Sequence, residues 1–126
     1  MNAGAIIYAR LAAATAVTAI VGTRILPLEV TQEVDLPALA YSVQLADAGD
    51  GTAPIQRATV TLYCMAHTEA GAHDLAVAVN GVLDGYAAVN GGTRLAPLQR
   101  AGWDYLRSHE LNLWQVTVTY QTWVVY

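Results

Sequence analysis

Leu113-Trp-Gln-Val-Thr-Val-Thr-Tyr-Gln-Thr-Trp-Val-Val-Tyr126 carries the most sustained alternation in the sequence. Trp114, Val116, Val118, Tyr120, Val124 and Tyr126 fall on one side of an extended chain, and Gln115, Thr117, Thr119 and Gln121 on the other. One apolar face and one semi-polar face describe a strand in an antiparallel sheet that is covered on one side only. The segment therefore needs strand partners beside it and something apolar, such as a helix, above it.

Both are found upstream. Leu39, Tyr41, Val43 and Leu45 alternate with Ala40, Ser42 and Gln44, so Ala38–Ala46 reads as a strand. Asp47-Ala-Gly-Asp-Gly-Thr-Ala-Pro54 is a loop rich in turn residues. The alternation resumes over Ile55–Met65, with Ala58, Val60, Leu62 and Cys64 on one face and Arg57, Thr59, Thr61 and Tyr63 on the other. The two strands form an antiparallel pair. Thr68 then stands as a helix N-cap, with Glu69 and Asp74 near the positive end of the dipole. Ala72, Leu75, Ala76, Val79, Val82 and Leu83 follow at helical spacing. Gly71 and Gly81 cost that helix stability, and small residues at those positions let it lie close on a sheet.

At the other end, Ile6, Ile7, Leu11 and Ala14, then Val17, Ile20 and Val21, follow helical spacing. One straight helix would put Arg10 inside the apolar stripe, so a break near Thr15 is expected, with Thr15 capping a second short helix. Gly22 is the natural residue to end it in a left-handed conformation. Thr23–Pro37 reads as a short strand and a loop. Asn90-Gly91-Gly92 is a turn, and Arg94–Gln99 reads as a strand with Pro97 at an edge. The stretch from Arg100 to Asn112 favours neither helix nor strand. The expected fold is α+β, a mostly antiparallel sheet with two main helices packed on one face, forming a single domain over residues 1–126.

Composition narrows the function. The 126 residues are 55% hydrophobic and 13% charged, about half the charged share of an average soluble domain. That excludes intrinsic disorder and points to surface reserved for partners. The net charge of −4 opposes nucleic-acid binding through phosphate neutralisation, and so undercuts a base-stacking role for Trp103, Trp114 and Trp123. All six basic residues are arginine, the side chain suited to bidentate, partly buried carboxylate pairing. A single cysteine, Cys64, forms no internal disulfide. Residues 3–21 carry Arg10 at their centre and no basic residue ahead of their apolar part, which argues against a membrane span or signal peptide.

No catalytic or cofactor motif emerges. Cys64, His67 and His73 match no zinc spacing. Ser108, His109 and Glu110 are adjacent in sequence, which is not how a triad converges. No phosphate or dinucleotide loop is present, and the Asp47/Asp50 loop lacks the later carboxylate of a calcium hand. The expectation is a protein that is not an enzyme and has no cofactor or metal.

The layout resembles the tail-completion, or tail-terminator, proteins of long-tailed phages and gene transfer agents. The residues that carry the likeness span most of the chain. Val17-Thr-Ala-Ile-Val-Gly-Thr-Arg-Ile25 is similar to the family's helix closing in Val-Gly-x-Arg-Ile, and Leu36-Pro-Ala-Leu-Ala-Tyr41 to its Pro-led first long strand. Strand 58–66 runs directly into the helix of Ala72, Leu75, Ala76, Val79 and Leu83, and a last strand ends near the C-terminus. The sequence departs from the pattern at Leu26, where an aromatic often follows Arg-Ile, and residues 103–112 have no evident counterpart.

The resemblance implies a non-enzymatic virion subunit that assembles with itself as a ring, usually a hexamer. The ring would sit at the head-proximal end of the tail tube, stop tube growth and meet the head-neck connector or stopper protein, after assembly in the host bacterial cytoplasm. DNA would pass its lumen without specific binding, as an acidic chain allows, and the Asp47–Pro54 loop would order on docking. A head-side neck or stopper protein is the alternative. A small α+β ligand-binding domain is a further one, requiring a closed apolar pocket where Asp104 and His109 converge. From residue type, Arg24 is expected to hold a buried or interfacial carboxylate. Arg57, Arg94, Arg100 and Arg107 are candidates to pair with Asp47, Asp50 or Asp104 across subunits. Trp103 is an aromatic interface candidate.

Overall fold

The computed structural model describes residues 3–27, 36–47, 55–90, 92–109 and 112–125. In chain order they form α1 (Ala3–Ala13), α2 (Thr15–Val21), β1 (Ile25–Pro27), β2 (Ala38–Asp47), β3 (Ile55–Ala66), α3 (Glu69–Leu83), β4 (Ala88–Asn90), β5 (Thr93–Leu95), β6 (Gln99–Ser108) and β7 (Leu113–Val125). The strands make one seven-stranded sheet in the order β1-β2-β3-β7-β5-β4, with β6 also paired to β7. The fold is α+β as expected. All described pairings are antiparallel except β1–β2, which is parallel.

β7 is central because both of its edges are used. One edge pairs with β3 from Ala66↔Trp114 to Ile55↔Val125. The other is shared by β6 along most of its length and by β5 at its end. Its alternation then does what period-two patterning requires. Val116, Val118, Tyr120 and Val124 are buried beside Ala58, Val60, Leu62 and Cys64 of β3. α3 supplies Ala72, Leu75, Ala76, Val79 and Leu83 to the same core, and α1 and α2 add Ile6, Ile7, Leu11, Val17 and Val21. Among the described residues Tyr120 is the largest fully buried side chain, and its hydroxyl donates to Asn80 Oδ1 on α3 at 2.8 Å. That bond satisfies the one polar atom its ring carries inward.

The N-terminal break falls one residue earlier than the sequence suggests. Ala14, not Thr15, is the N-cap of α2, with extended backbone (φ −89°, ψ 112°) and no side-chain cap. Its carbonyl accepts the Val17 and Thr18 N–H groups, so backbone alone starts the helix. The two helices meet at 82°, and the bend leaves Arg10 on the exposed flank, where its Nε donates to the Val82 carbonyl and its guanidinium lies 4.5 Å from the Tyr86 ring. No single helix among the described residues is long and apolar enough to cross a membrane. Gly22 has φ 61° and ψ −122°, the first central position of a type II′ turn rather than a left-handed helical cap. The Arg24 N–H closes that turn on the Val21 carbonyl at 3.0 Å.

Three further readings change. Pro97 lies between β5 and β6, not within a strand, and the ambiguous 100–112 stretch is mostly β6. Gly81 has open space around it, so close packing does not explain it, whereas a Cβ on Gly71 would lie 2.9 Å from Thr68 Oγ1 and 3.2 Å from the Ala66 Cβ. Thr68 does cap α3, accepting the Gly71 N–H at 3.0 Å. Of the Asp47–Pro54 loop, all but Asp47 lies outside the described residues, as do Glu110 and Tyr126.

Two outcomes follow for stability, both readable by urea denaturation. Gly81→Ala gains about 0.5–1 kcal/mol from helix propensity, while Gly71→Ala loses stability because the new methyl displaces the Thr68 cap. The second concerns Cys64, whose thiol burial pushes from 9.0 to about 12. The folded chain holds this proton more tightly than the unfolded one, so stability is whole below pH 9 and falls as the pH rises from there toward 12. Between pH 8 and pH 10 this thiol by itself costs the wild-type chain about 1 kcal/mol, and Cys64→Ala removes that share.

Candidate assembly surface

The two faces of the sheet differ sharply. Helices cover the apolar face over β3 and β7. On the opposite face Thr59, Thr61, Tyr63, Thr117 and Thr119 are half-buried, and no described element covers them. β6 is exposed along most of its length, and its outer edge meets no described strand.

β6 owes its character to a register shift between Arg100 and Gly102. The extra residue places Arg100 opposite Tyr120 and Trp103 opposite Val118, on one side of the strand. Tyr105 and Arg107 continue that row opposite Val116 and Trp114. The row therefore lies on the helix side, beyond the edge of the core, where α3 meets it through His73. The His73 ring lies edge-on to Trp103 (centroids 6.1 Å, 69°) and stacked toward Tyr105 (6.2 Å, 15°). His73 Nδ1 and the Tyr105 hydroxyl share a hydrogen bond of 2.9 Å. Glu69, Ala70, His73, Asp74 and Tyr105 line a shallow recess there.

Four of the six arginines lie over aromatic rings. Besides Arg10 on Tyr86, the Arg57 guanidinium is 5.4 Å from the Trp123 centroid, Arg100 is 5.3 Å from Trp103 and Arg107 is 4.8 Å from Trp114. Two of these stacks are cross-strand neighbours, Arg57↔Trp123 and Arg107↔Trp114. Sequence reading named the arginines and the tryptophans separately and missed the stacks. Strand register is the only signal that joins residues 57 and 123.

The sequence-derived interface residues do not form one patch. Arg24 sits half-buried between α2 and β1, and its Nε donates to the Pro37 carbonyl at 2.8 Å, a backbone partner within the chain. Arg57 and Asp104 are on the uncovered face, the latter exposed opposite Thr117. Arg100, Trp103 and Arg107 are on the helix side of β6, and Arg94 is on β5 at the far end of β7. Asp47 ends β2, and Asp50 lies outside the described residues.

Asp104 and His109 do not converge. Both are exposed, Asp104 within β6 and His109 just past its end, so neither is enclosed in the closed apolar pocket that a ligand-binding domain requires there. His67 shares a hydrogen bond with the Asn112 carbonyl and His73 with Tyr105, while Cys64 is buried in the core. Among the described residues no group of three potential ligands could hold a metal ion. Among the same residues, no buried side-chain polar atom lacks a partner.

A packed core and an exterior that carries four arginine–aromatic contacts describe a small α+β domain. A family profile described as tail completion protein gp17 matches residues 5–125, and the chain belongs to that family. It is a structural phage-tail protein and not an enzyme. Among solved structures it is similar to a chain in the virion of a native gene transfer agent particle. The TM-score is 0.82 at 20% identity, covering 95% of this chain and 92% of that one. At that identity the likeness speaks for the fold. No curated protein matches it in sequence.

The stacks carry a measurable share of stability. Alanine at Arg57, Arg100 or Arg107 lowers the unfolding free energy by about 0.5–1 kcal/mol each, and the Arg57 and Arg107 losses add because the sites are far apart. Urea titrations of the single and double variants check both statements.

Proposed function

We propose that this chain is a tail terminator: a single domain spanning residues 1–126 that forms a ring, a hexamer as the family resemblance implies, on the head-proximal end of the tail tube. The ring ends tube growth and offers its other face to the head-neck connector. The observation that carries this reading is the family match over residues 5–125. The surface supports it. Val89 is 71% exposed, Leu106 59%, and Tyr105 and Val77 51% each, on a chain with only 13% charged residues. Such large apolar side chains are what a subunit presents to neighbours. A net charge of −4 suits a lumen that DNA crosses without being held.

Light scattering of the purified chain, alone and with tail tubes, tests this together with electron microscopy of the tubes. The expected result is a mass several times that of the protomer and a cap at one tube end, with overlong tubes when the protein is withheld. A strict monomer that binds no tube end overturns the reading. Binding to head connectors instead of tubes assigns the chain to the head side of the joint.

A further inference from the structure

We propose that neighbouring copies join head to tail, the β4–β5 hairpin of one seating Val89 and Arg94 in the Tyr105 recess of the next. This rests on the ring reading and names the contact that would build it.

Two exposed patches carry the inference. Val89 and Arg94 are direct cross-strand partners on the hairpin, both exposed, with Val89, among the described residues, the most exposed of the large hydrophobic side chains. Of the six arginines, Arg94 is the one for which the described residues supply neither an aromatic ring nor a hydrogen-bonding carbonyl. The second patch is the recess where Glu69 and Asp74 flank the Tyr105 ring. Val77 lies one helical turn past His73 on the same flank of α3, half-exposed like Tyr105.

The patches match in kind. A hairpin presenting one aliphatic side chain beside one guanidinium meets a surface presenting an aliphatic side chain, an aromatic face and two carboxylates. The carboxylates pair with the guanidinium, whose plane the Tyr105 ring also attracts. Arg100 and Arg107, the cations nearest the recess along β6, lie over Trp103 and Trp114. The hairpin and the recess cannot meet within one chain. Arg94 pairs beside Val125 and Tyr105 beside Val116, at opposite ends of β7. A contact between two different patches of identical subunits is heterologous, and repeats into a ring when its rotation closes.

Charge reversal tests the pairing. Arg94→Glu and Asp74→Arg are each expected to raise the concentration for half-assembly by about 100-fold, as facing like charges should. Both residues are exposed, so the melting temperature verifies that each variant still folds. Mixing the two variants, or combining both changes in one chain, is expected to restore the assembled mass. Val89→Ser, which carries no charge, weakens assembly through the same contact. An assembled mass unchanged by either reversal overturns the proposal, and so does a mixture that fails to recover. Loss of tail-tube binding with the ring mass intact gives this surface to a tail partner and also overturns it. A wild-type chain that is monomeric both alone and with tubes refutes the ring reading itself, which separates the two failures.

Discussion

The structure depends on the register of β7. Because its side chains alternate, a slip of one residue would send Val116, Val118, Tyr120 and Val124 to the uncovered side and bring Gln115, Thr117 and Gln121 under the helices. Tyr120 fixes the choice a second way. Its ring fills the core and its hydroxyl reaches Asn80, so strand register and helix position are set by one residue. A buried hydroxyl without that partner would carry a desolvation cost of about 1–3 kcal/mol. Burial, with Asp84 nearby, also raises its pKa, which keeps the phenol a donor. Once α3 is placed, its His73 flank can meet only the strand on the far edge of β7, and the aromatic row of β6 follows.

What the sequence made legible was whatever this core constrained. β2, β3, β7 and α3 were readable because each buries one face, and burial leaves a period of two or of 3.6 in the residue types. β6 was not readable, for a physical reason. Its helix-side row is Arg100, Trp103, Tyr105 and Arg107, so charged residues occupy positions where alternation predicts apolar ones. The shift at Arg100/Gly102 then breaks the period between the first two members. Ring stacking lets arginine stand in such a row, and no one-dimensional pattern distinguishes a stacked arginine from a solvated one. The helix break shows the same limit at smaller scale. A hydroxyl was expected at the cap, yet the extended backbone of Ala14 suffices once the packing of α1 and α2 fixes the bend.

The stacks alter the meaning of a chain with six arginines and no lysine. Cation–aromatic contact uses the face of the guanidinium and leaves its N–H groups in the plane, pointing outward. Arg57, Arg100 and Arg107 each lie over a ring of their own chain, and that contact holds the guanidinium in place. Ordering a free arginine at an interface costs about 0.5–1.5 kcal/mol of side-chain entropy; a stacked one has lost part of that freedom on folding. A lysine ammonium, compact and strongly hydrated on a flexible stem, gains less from the same ring. With only 13% of its residues charged, this chain makes few polar contacts available to a neighbour, and pre-positioning those few is how a sparse surface can still select its partners. The recess beside Tyr105 works the other way round: Glu69 and Asp74 line it together with an aromatic side chain, so a guanidinium that has no ring of its own would find there both the carboxylate and the ring.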